Sequence, residues 1–302
     1  MMAQPSPLAQ RILDLHGDKR AGTPSATPPS GSGELEVALN WALHDLGFGP
    51  TDAALVRRAW LHQSQRLGGF DAARWPTDAI DFGLPVQPRT TSFAPCPQRL
   101  GLYAVLPSAQ WVARMAQAGV PTLQLRYKSD DPQAIEREVK AAVAAVQGTP
   151  SLLFINDHWA QAIEHGAYGV HLGQEDLSVA PTERIRLAGL RLGLSTHGYA
   201  EMLRAESFAP SYIAMGAVFP TTLKAMATLP QGLGRLQQYA RLMQGHSLVA
   251  IGGIDLQTLP AVMQTGVGSA AFVRAITGAT DVAKAVADLK ACMAAFANQN
   301  RQ

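Results

Sequence analysis

From about residue 100 onward, short apolar segments alternate with amphipathic helical segments, and this alternation constrains the fold more than any other feature. The apolar segments lack polar faces, as is typical of parallel strands that are buried on both sides. We predict strands over 102–106, 122–126, 152–156, 168–172, 191–195, 212–215, 248–251 and 269–273, each followed by a helix. Eight such units predict an α/β fold of the (β/α)₈ barrel type. An open doubly wound sheet is the alternative.

The first 98 residues follow a different pattern. Gly, Pro, Ser and Thr dominate residues 21–33, so we expect 1–33 to be a flexible N-terminus. Residues 34–98 contain two helical patterns, the second capped by Thr51 or Asp52, and then a Pro-rich linker. We therefore predict a flexible region (1–33), a helical extension with a linker (34–98) and a barrel domain (99–296).

Composition favours a compact enzyme. The chain is 47% hydrophobic and 16% charged, and its net charge of +2 indicates no general attraction to nucleic acid or membranes. Cys96 and Cys292 form neither a metal-binding spacing nor a disulfide framework. No apolar stretch approaches the roughly 18 residues of a membrane span. We predict a cytoplasmic protein that acts on small molecules, without nucleic-acid or membrane partners; a homo-oligomer is compatible with the sequence.

Polar residues gather at the carboxyl ends of the predicted strands, where barrel enzymes have their active sites. Gln124, Arg126 and Lys128 alternate onto one face of the second strand end, since side chains switch faces at each residue. The other strand ends contribute Asn156, Asp157, Asp176, Ser195, His197, Thr221, Thr222, Lys224, Gly252, Gly253 and Arg274.

Two of these residues, Asp157 and Asp176, follow neighbouring strands, where their carboxylates would repel each other unless a cation lay between them. Mg²⁺ prefers a few carboxylates together with phosphate oxygens and water. With Arg126, Lys128 and Lys224 around the same anion, the set is what a diphosphate leaving group requires. The alternative is that each Asp only caps a helix or a loop.

A second anion site is indicated by Gly252 and Gly253 after the seventh strand. Many barrels bind a phosphate between their last two loops, and glycine lets backbone N–H groups approach it closely. Alone, two glycines would indicate only a turn. Asn156 and Ser195 are neutral hydrogen-bonding residues suited to a heterocycle between the two anions.

Five motifs, in order along residues 100–295, resemble the thiamine-phosphate synthase family. They are Gln124-Leu125-Arg126-Tyr127-Lys128, Asn156-Asp157, Gly169-Val170-His171-Leu172-Gly173-Gln174-Glu175-Asp176, Pro220-Thr221-Thr222-Leu223-Lys224 and Ile251-Gly252-Gly253-Ile254. The run that ends at Asp176 is the most specific.

The resemblance implies a transferase that joins hydroxymethylpyrimidine diphosphate to thiazole phosphate and releases pyrophosphate. It implies a dissociative mechanism in which pyrophosphate leaves before the thiazole nitrogen attacks the pyrimidine cation. It assigns Mg²⁺ to Asp157 and Asp176, and charge stabilisation to Arg126, Lys128 and Lys224. It places the pyrimidine diphosphate against Gln124, Leu125, Tyr127, Asn156 and Ser195, and the thiazole phosphate against Thr221, Thr222, Leu223, Gly252, Gly253, Val273 and Arg274.

Four positions depart from the family's usual pattern. Tyr127 replaces a Glu, Ala217 a Pro, Leu223 a Thr and Arg274 a small Ser. Three of the four concern the thiazole-phosphate side. Strict alternation predicts that Tyr127 faces away from its two cationic neighbours, and a Tyr127 that pointed into the barrel mouth would weaken the synthase interpretation.

Two alternative functions remain. A related thiazole tautomerase uses a His immediately after the Gly of the sixth strand, where this chain has Ala217, so it is disfavoured. The other is a non-catalytic protein that binds thiazole phosphate or thiamine phosphate. The N-terminal part faintly resembles the C-terminal tail of hydroxymethylpyrimidine phosphate kinase, since Pro29-Ser30-Gly31-Ser32-Gly33-Glu34 leads into one helical pattern and Gly47-Phe48-Gly49 precedes a second. For this part we expect a vestigial, packing or oligomerisation role. We expect His171 to be a hydrogen-bonded structural residue.

Overall fold

The computed structural model describes residues 4–22, 31–85, 92–221 and 229–299, and it confirms the predicted barrel. Eight parallel strands pair in chain order and the first pairs with the last, with Gly101 opposite Ser269. This closure excludes the open sheet. The strands are β1 (Gly101–Leu106), β2 (Thr122–Leu125), β3 (Leu152–Asn156), β4 (Gly169–Leu172), β5 (Arg191–Thr196), β6 (Tyr212–Met215), β7 (Leu248–Ala250) and β8 (Ser269–Phe272).

Helices surround the strands and precede them. From here on, the N-terminal extension means all described residues before the barrel, from residue 4 to residue 98. It contains α1 (Pro7–His16), α2 (Glu34–Asp45) and α3 (Pro50–Leu67). The barrel helices are α4 (Ala109–Gln117), α5 (Pro132–Val146), α6 (Trp159–Glu164), α7 (Thr182–Leu187), α8 (Tyr199–Glu206), α9 (Gly232–Leu242), α10 (Leu259–Gln264), α11 (Arg274–Thr277) and α12 (Val282–Gln299). Within the described residues, no helix is both long enough and apolar enough to cross a membrane.

The barrel has two hydrophobic layers. An inner cluster, built around Tyr103, Phe154 and Tyr212, fills the space enclosed by the strands. The strands' outer faces and the helices form a larger cluster, and this cluster also includes residues of the extension such as Ile12 and Trp60. The barrel and the extension therefore share one continuous core.

The N-terminal segment differs from the expected flexible region, because residues 7–19 form α1 and a 3₁₀ turn (Gly17–Lys19). The side chain of Ser6 accepts a hydrogen bond from the backbone N–H of Ala9 (3.2 Å), and Pro7 occupies the first helical position. Ile12 and Leu13 are buried. The Gly- and Pro-rich composition of 21–33 concealed this capped, amphipathic helix, and residues 23–30 lie outside the described part.

The third helix also begins differently from the prediction. It starts at Pro50, with Gly49 as the N-cap, and neither Thr51 nor Asp52 caps it. Proline suits the first helical position because its missing N–H would have no intrahelical partner there. The carboxylate of Asp52 is consequently available to another element.

Aromatic side chains join the extension to the barrel. Phe82 stacks on Tyr199 with 5.1 Å between ring centroids, and the indole N–H of Trp75 donates to the Tyr199 hydroxyl (3.0 Å). The 3₁₀ turn Ala79–Phe82 thus packs against α8 through Tyr199. Because these contacts bury both partners, residues 34–85 form a packed part of the molecule. The proposed domain boundary near Arg99 stays a prediction.

We predict that His16 makes the folded state sensitive to acid. Burial lowers the pKa of His16 from its usual 6.5, because the charged ring would lose its hydration, and Nε2–H donates to the carbonyl of Ala72 (2.8 Å). Unfolded His16 binds a proton more readily, so the free energy of unfolding should fall as the pH drops below about 6.5. Thermal unfolding between about pH 7.5 and 5.5 should show a smaller pH dependence in His16→Gln than in the wild type. Equal pH dependence would contradict this assignment.

Candidate active site

A cavity of about 850 Å³ opens at the carboxyl ends of the barrel strands. Most of the predicted site residues line it, although they come from distant parts of the sequence. They are Gln124, Arg126, Lys128, Asn156, Asp157, Ser195, Thr221, Gly252, Gly253, Val273 and Arg274. Barrel closure is what brings them together, because it gathers all eight strand ends at one mouth.

Other predicted residues lie elsewhere. Leu125 is fully buried in the core outside the strands, and Tyr127 also packs against that core. Neither side chain lines the cavity, which corrects the expectation that both contact substrate. The alternation of the strand explains the difference, since both residues occupy the face opposite to Gln124 and Arg126. Thr222, Leu223 and Lys224 lie outside the described residues.

A cation and a carboxylate face each other at one side of the mouth. Lys128 Nζ lies 2.5 Å from Asp157 Oδ2. Asp157 has a positive φ of 64°, a conformation that Asp tolerates better than most residues, and its N–H donates to the carbonyl of His171 (3.0 Å). The backbone therefore fixes where this carboxylate leaves β3. The neighbouring Arg126 adds a second cation to the same wall.

The second predicted metal ligand, Asp176, begins the 3₁₀ turn Asp176–Ser178 and accepts a hydrogen bond from the Gly173 N–H (2.8 Å). Burial raises the pKa of Asp176, and the negative charge of Asp157 raises it further. The negative charges of the two carboxylates therefore repel each other, and a cation between them would offset this repulsion. Asp176 does not itself line the cavity wall. The donor set fits a magnesium ion, which prefers carboxylate oxygen.

A separate cluster of metal-type side chains lies on the outer helices. Among the described residues, one group of three brings its ligand atoms within 4.8 Å of one another, and it consists of Glu136, Glu164 and His165. These residues belong to α5 and α6 or follow them, and none lines the cavity. This group therefore adds nothing to the predicted magnesium site.

A chain of hydrogen bonds runs beneath the cavity through the barrel interior. Gln124 Nε2 donates to the Tyr103 hydroxyl (3.0 Å), which lies 2.7 Å from the Tyr212 hydroxyl. His171 continues the chain, with Nδ1 2.7 Å from the Tyr212 hydroxyl and Nε2 2.8 Å from Ser195 Oγ. We call these five residues the interior chain.

Two arrangements of hydrogens satisfy every link, and they differ in the tautomer of His171. Because burial raises the pKa of Tyr103 and Tyr212, both hydroxyls keep their protons. In the first arrangement Tyr103 donates to Tyr212, Tyr212 donates to Nδ1, and Nε2–H donates to Ser195, whose own hydroxyl hydrogen is left for an acceptor in the cavity. In the second, Ser195 donates to Nε2, Nδ1–H donates to Tyr212, and Tyr212 donates to Tyr103.

Sequence reasoning missed two members of this chain. Tyr103 and Tyr212 look like ordinary core aromatics in the sequence, and only their facing positions across the barrel make them polar partners. His171 is hydrogen-bonded as predicted, and it also lines the cavity. Glu175 and Thr196, which stand at predicted strand ends but have no assigned role, also line the cavity.

The predicted phosphate turn after β7 requires glycine at both positions. Gly252 and Gly253 have φ angles of 103° and 66°. A Cβ on Gly252 would lie 2.5 Å from the Cβ of Ala217, and one on Gly253 would lie 2.7 Å from the Cβ of Phe219. Backbone bonds hold the two loops together, since the Phe219 N–H donates to the carbonyl of Gly252 (3.0 Å). Arg274 also lines the cavity.

Comparisons with known proteins agree in pointing to one family. A family model described as thiamine monophosphate synthase matches residues 102–276. The thiamine-phosphate synthase of Neisseria meningitidis serogroup A is 55% identical over 190 residues, which are 63% of this chain and 93% of that relative. The thiamine-phosphate synthase of Cronobacter sakazakii is 53% identical over 192 residues, which are 64% of this chain and 91% of that relative.

A solved structure gives the same result. The thiamine phosphate pyrophosphorylase of Pyrococcus furiosus superposes with a TM-score of 0.58 at 28% sequence identity. The superposition covers 65% of this chain and 96% of the other. The family model's match lies wholly in the barrel and includes none of residues 1–98.

We predict that Tyr103 and Tyr212 are energetically coupled through the interior chain. Tyr212→Phe removes one hydroxyl and leaves buried partners of the chain unsatisfied, so it should lower the free energy of unfolding by about 1–3 kcal/mol. Tyr103→Phe should cost a similar amount, and the double variant should cost less than the sum. Urea denaturation of the four proteins measures the coupling. Additive losses would show that the two hydroxyls act independently.

Proposed function

The chain belongs to the thiamine monophosphate synthase family, and on this premise we propose how its cavity makes thiamine phosphate. The proposed reaction joins hydroxymethylpyrimidine diphosphate to thiazole phosphate and releases pyrophosphate. One observation carries the proposal. A wall with Arg126, Lys128 and Asp157 shares a single cavity with the glycine turn at Gly252 and Gly253, so two anionic substrates fit one site.

The diphosphate is assigned to the charged wall. Arg126 and Lys128 face the cavity and would bind its oxygens, with Lys128 exchanging its contact with Asp157 for a phosphate. Mg²⁺, held by Asp157 and Asp176, would neutralise part of the diphosphate charge. Lys224 would contribute a third positive charge to the diphosphate site, and this assignment rests on the sequence motif alone.

The pyrimidine ring is assigned to the neutral residues. Ser195 Oγ lies 2.8 Å from His171 Nε2, and in the tautomer with the proton on Nε2 the serine hydroxyl would be free to donate to a ring acceptor. The amide of Asn156, which is buried at the end of β3, lies on the adjacent wall. Because the interior chain fixes Ser195, the ring would meet a donor that needs little reorganisation.

The thiazole phosphate is assigned to the far side of the cavity. Backbone N–H groups at Gly252 and Gly253 would approach its phosphate, and Thr221 and the backbone at Val273 would complete the site. Arg274, in place of the usual small Ser, supplies a positive charge that favours the same anion. Thr222 and Leu223 are assigned to the thiazole phosphate by the sequence motif alone.

The chemistry follows from this placement. The bond between the pyrimidine methylene carbon and the diphosphate oxygen breaks, and its electron pair leaves with pyrophosphate. The lone pair of the thiazole nitrogen then forms the new carbon–nitrogen bond. Arg126 and Lys128 stabilise the departing charge, and the two facing sites supply the alignment. No general base is required, because the ring nitrogen carries no proton.

The alternatives receive less support. Ala217 lies at the cavity where a tautomerase would need a histidine, and its methyl group carries out no proton transfer. A non-catalytic binder would share the two anion sites and differ only in turnover. A cytoplasmic location and a homo-oligomeric state stay predictions.

We predict that both aspartates are required for turnover. With Mg²⁺ and both substrates, Asp157→Asn and Asp176→Asn should each slow pyrophosphate release by about 100-fold or more, because the departing charge loses its stabilisation. Asp131→Asn is the matched control, since Asp131 caps α5 and belongs neither to the cavity lining nor to the predicted metal ligands. Full activity in either the Asp157 or the Asp176 variant would overturn the metal assignment. A wild type that binds phosphate ligands but releases no pyrophosphate would favour the binder.

We also predict that the glycine turn sets affinity for the thiazole phosphate. Gly252→Ala should raise the KM for this substrate by about tenfold or more, because the new methyl group collides with Ala217 and shifts the turn. Gly266→Ala is the matched control. Gly266 also has a positive φ (95°), but its Cβ would meet open space and it does not line the cavity. Equal KM values in the two variants would disprove the phosphate assignment.

A further inference from the structure

Helix α8 receives its N-terminal cap from outside the barrel. Its N-cap residue is Gly198, which has no side chain to accept a hydrogen bond. Asp52 of α3 supplies the acceptor, with Oδ1 bound by the N–H of Ala200 (2.8 Å) and Oδ2 by the N–H of Tyr199 (3.2 Å). A Cβ on Gly198 would lie 2.1 Å from Asp52 Oδ2, so the contact requires the missing side chain. A carboxylate at this position accepts hydrogen bonds from N–H groups that have no partner within the helix. Its negative charge also interacts favourably with the positive end of the helix dipole.

This cap lies directly behind the cavity. Strand β5 ends at Thr196, and Thr196 and His197 both line the cavity two to four residues before the capped N–H groups. Glu201, on the first turn of α8, accepts hydrogen bonds from the backbone and ring of His197 (2.9 and 2.7 Å). The start of α8 is therefore bonded to the segment that leaves β5, and Ser195 is the last residue but one of that strand.

A second contact ties the extension to α9. Arg235 is buried, and its guanidinium donates to the carbonyls of Lys19 (2.9 Å) and Leu46 (2.8 Å). It also lies 3.8 Å from the ring centroid of Phe48, a cation–π contact. All three partners belong to the extension.

The start of α9 in turn holds the exit of β6. The side chain of Gln231 donates to the carbonyl of Gly216 (2.8 Å), and its backbone N–H donates to the carbonyl of Ala217 (2.9 Å). Gly216 and Ala217 both line the cavity. The extension is thus connected to two consecutive strand exits, one through Asp52 and α8, the other through Arg235 and α9.

We propose that the N-terminal extension is a positioning element of the active site, with Asp52 and Arg235 as its positioning residues; this inference rests on the proposed function. Neither residue touches the cavity. Asp52 acts by fixing the start of α8, and hence the β5 exit that carries Ser195. The barrel supplies the residues that contact the substrates. The extension positions two of the segments to which those residues belong.

The test compares full-length Asp52→Ala and Asp52→Asn with the wild type. Asp52→Ala removes both acceptors and should raise the KM for the pyrimidine diphosphate about fivefold or more, whereas the KM for the thiazole phosphate changes less. Asp52→Asn keeps one good acceptor and should recover much of the loss. Hydrogen exchange should show faster exchange at the amides of Tyr199 and Ala200 in Asp52→Ala, a readout independent of activity.

Arg66→Gln is the matched control. Arg66 also lies on α3, but its guanidinium forms ion pairs with Asp78 and Asp81, which both belong to the extension. It takes no part in the cap that Asp52 forms on α8. This variant should lower the thermal midpoint and leave both KM values and the exchange at Tyr199 unchanged. If Asp52→Ala also lowers only the thermal midpoint, the extension is a stabilising element and the proposal fails. A wild type that makes no thiamine phosphate would refute the proposed function instead, while the exchange result would still report on the cap.

Discussion

The pairing of β1 with β8 is the constraint on which the rest of this structure depends. Gly101 lies opposite Ser269, and the hydroxyl of Ser269 accepts from the N–H groups of Leu100 (2.8 Å) and Gly101 (3.2 Å) at the same seam. Closing the sheet leaves no strand edge unpaired and directs all strand ends to one mouth. Residues as distant in sequence as Gln124 and Arg274 become neighbours of one cavity only through this closure.

Closure also creates an interior that has to be filled and satisfied. Aromatic rings occupy the enclosed space, and the hydroxyls of Tyr103 and Tyr212 meet there at 2.7 Å. Buried hydroxyls without partners would be costly, so the interior chain serves packing as well as polar satisfaction. Its upper end is Ser195 at the cavity floor, and the same bonds that stabilise the barrel therefore orient a residue assigned to substrate.

Sequence patterns anticipated the barrel well and the extension poorly. The alternation of buried strands and amphipathic helices is a local property, and so is the alternation that sent Tyr127 away from the cavity. The first helix, α1, escaped notice because its cap and apolar face stand next to a Gly- and Pro-rich stretch. The sequence predicts Thr51 or Asp52 as the cap of α3, whereas Asp52 caps α8, because a sequence shows which helix a residue is near and not which helix it contacts.

By itself, the sequence determined the order and type of the barrel elements and which polar residues stand at strand ends, because these depend on periodicity within a few residues. It also carried the motifs of the family. Only the tertiary structure decided that Tyr103 and Tyr212 share a hydrogen-bonded chain and that Asp52 caps α8. Those outcomes depend on contacts between segments far apart in the chain, and such contacts exist only after the sheet has closed and the extension has packed against it.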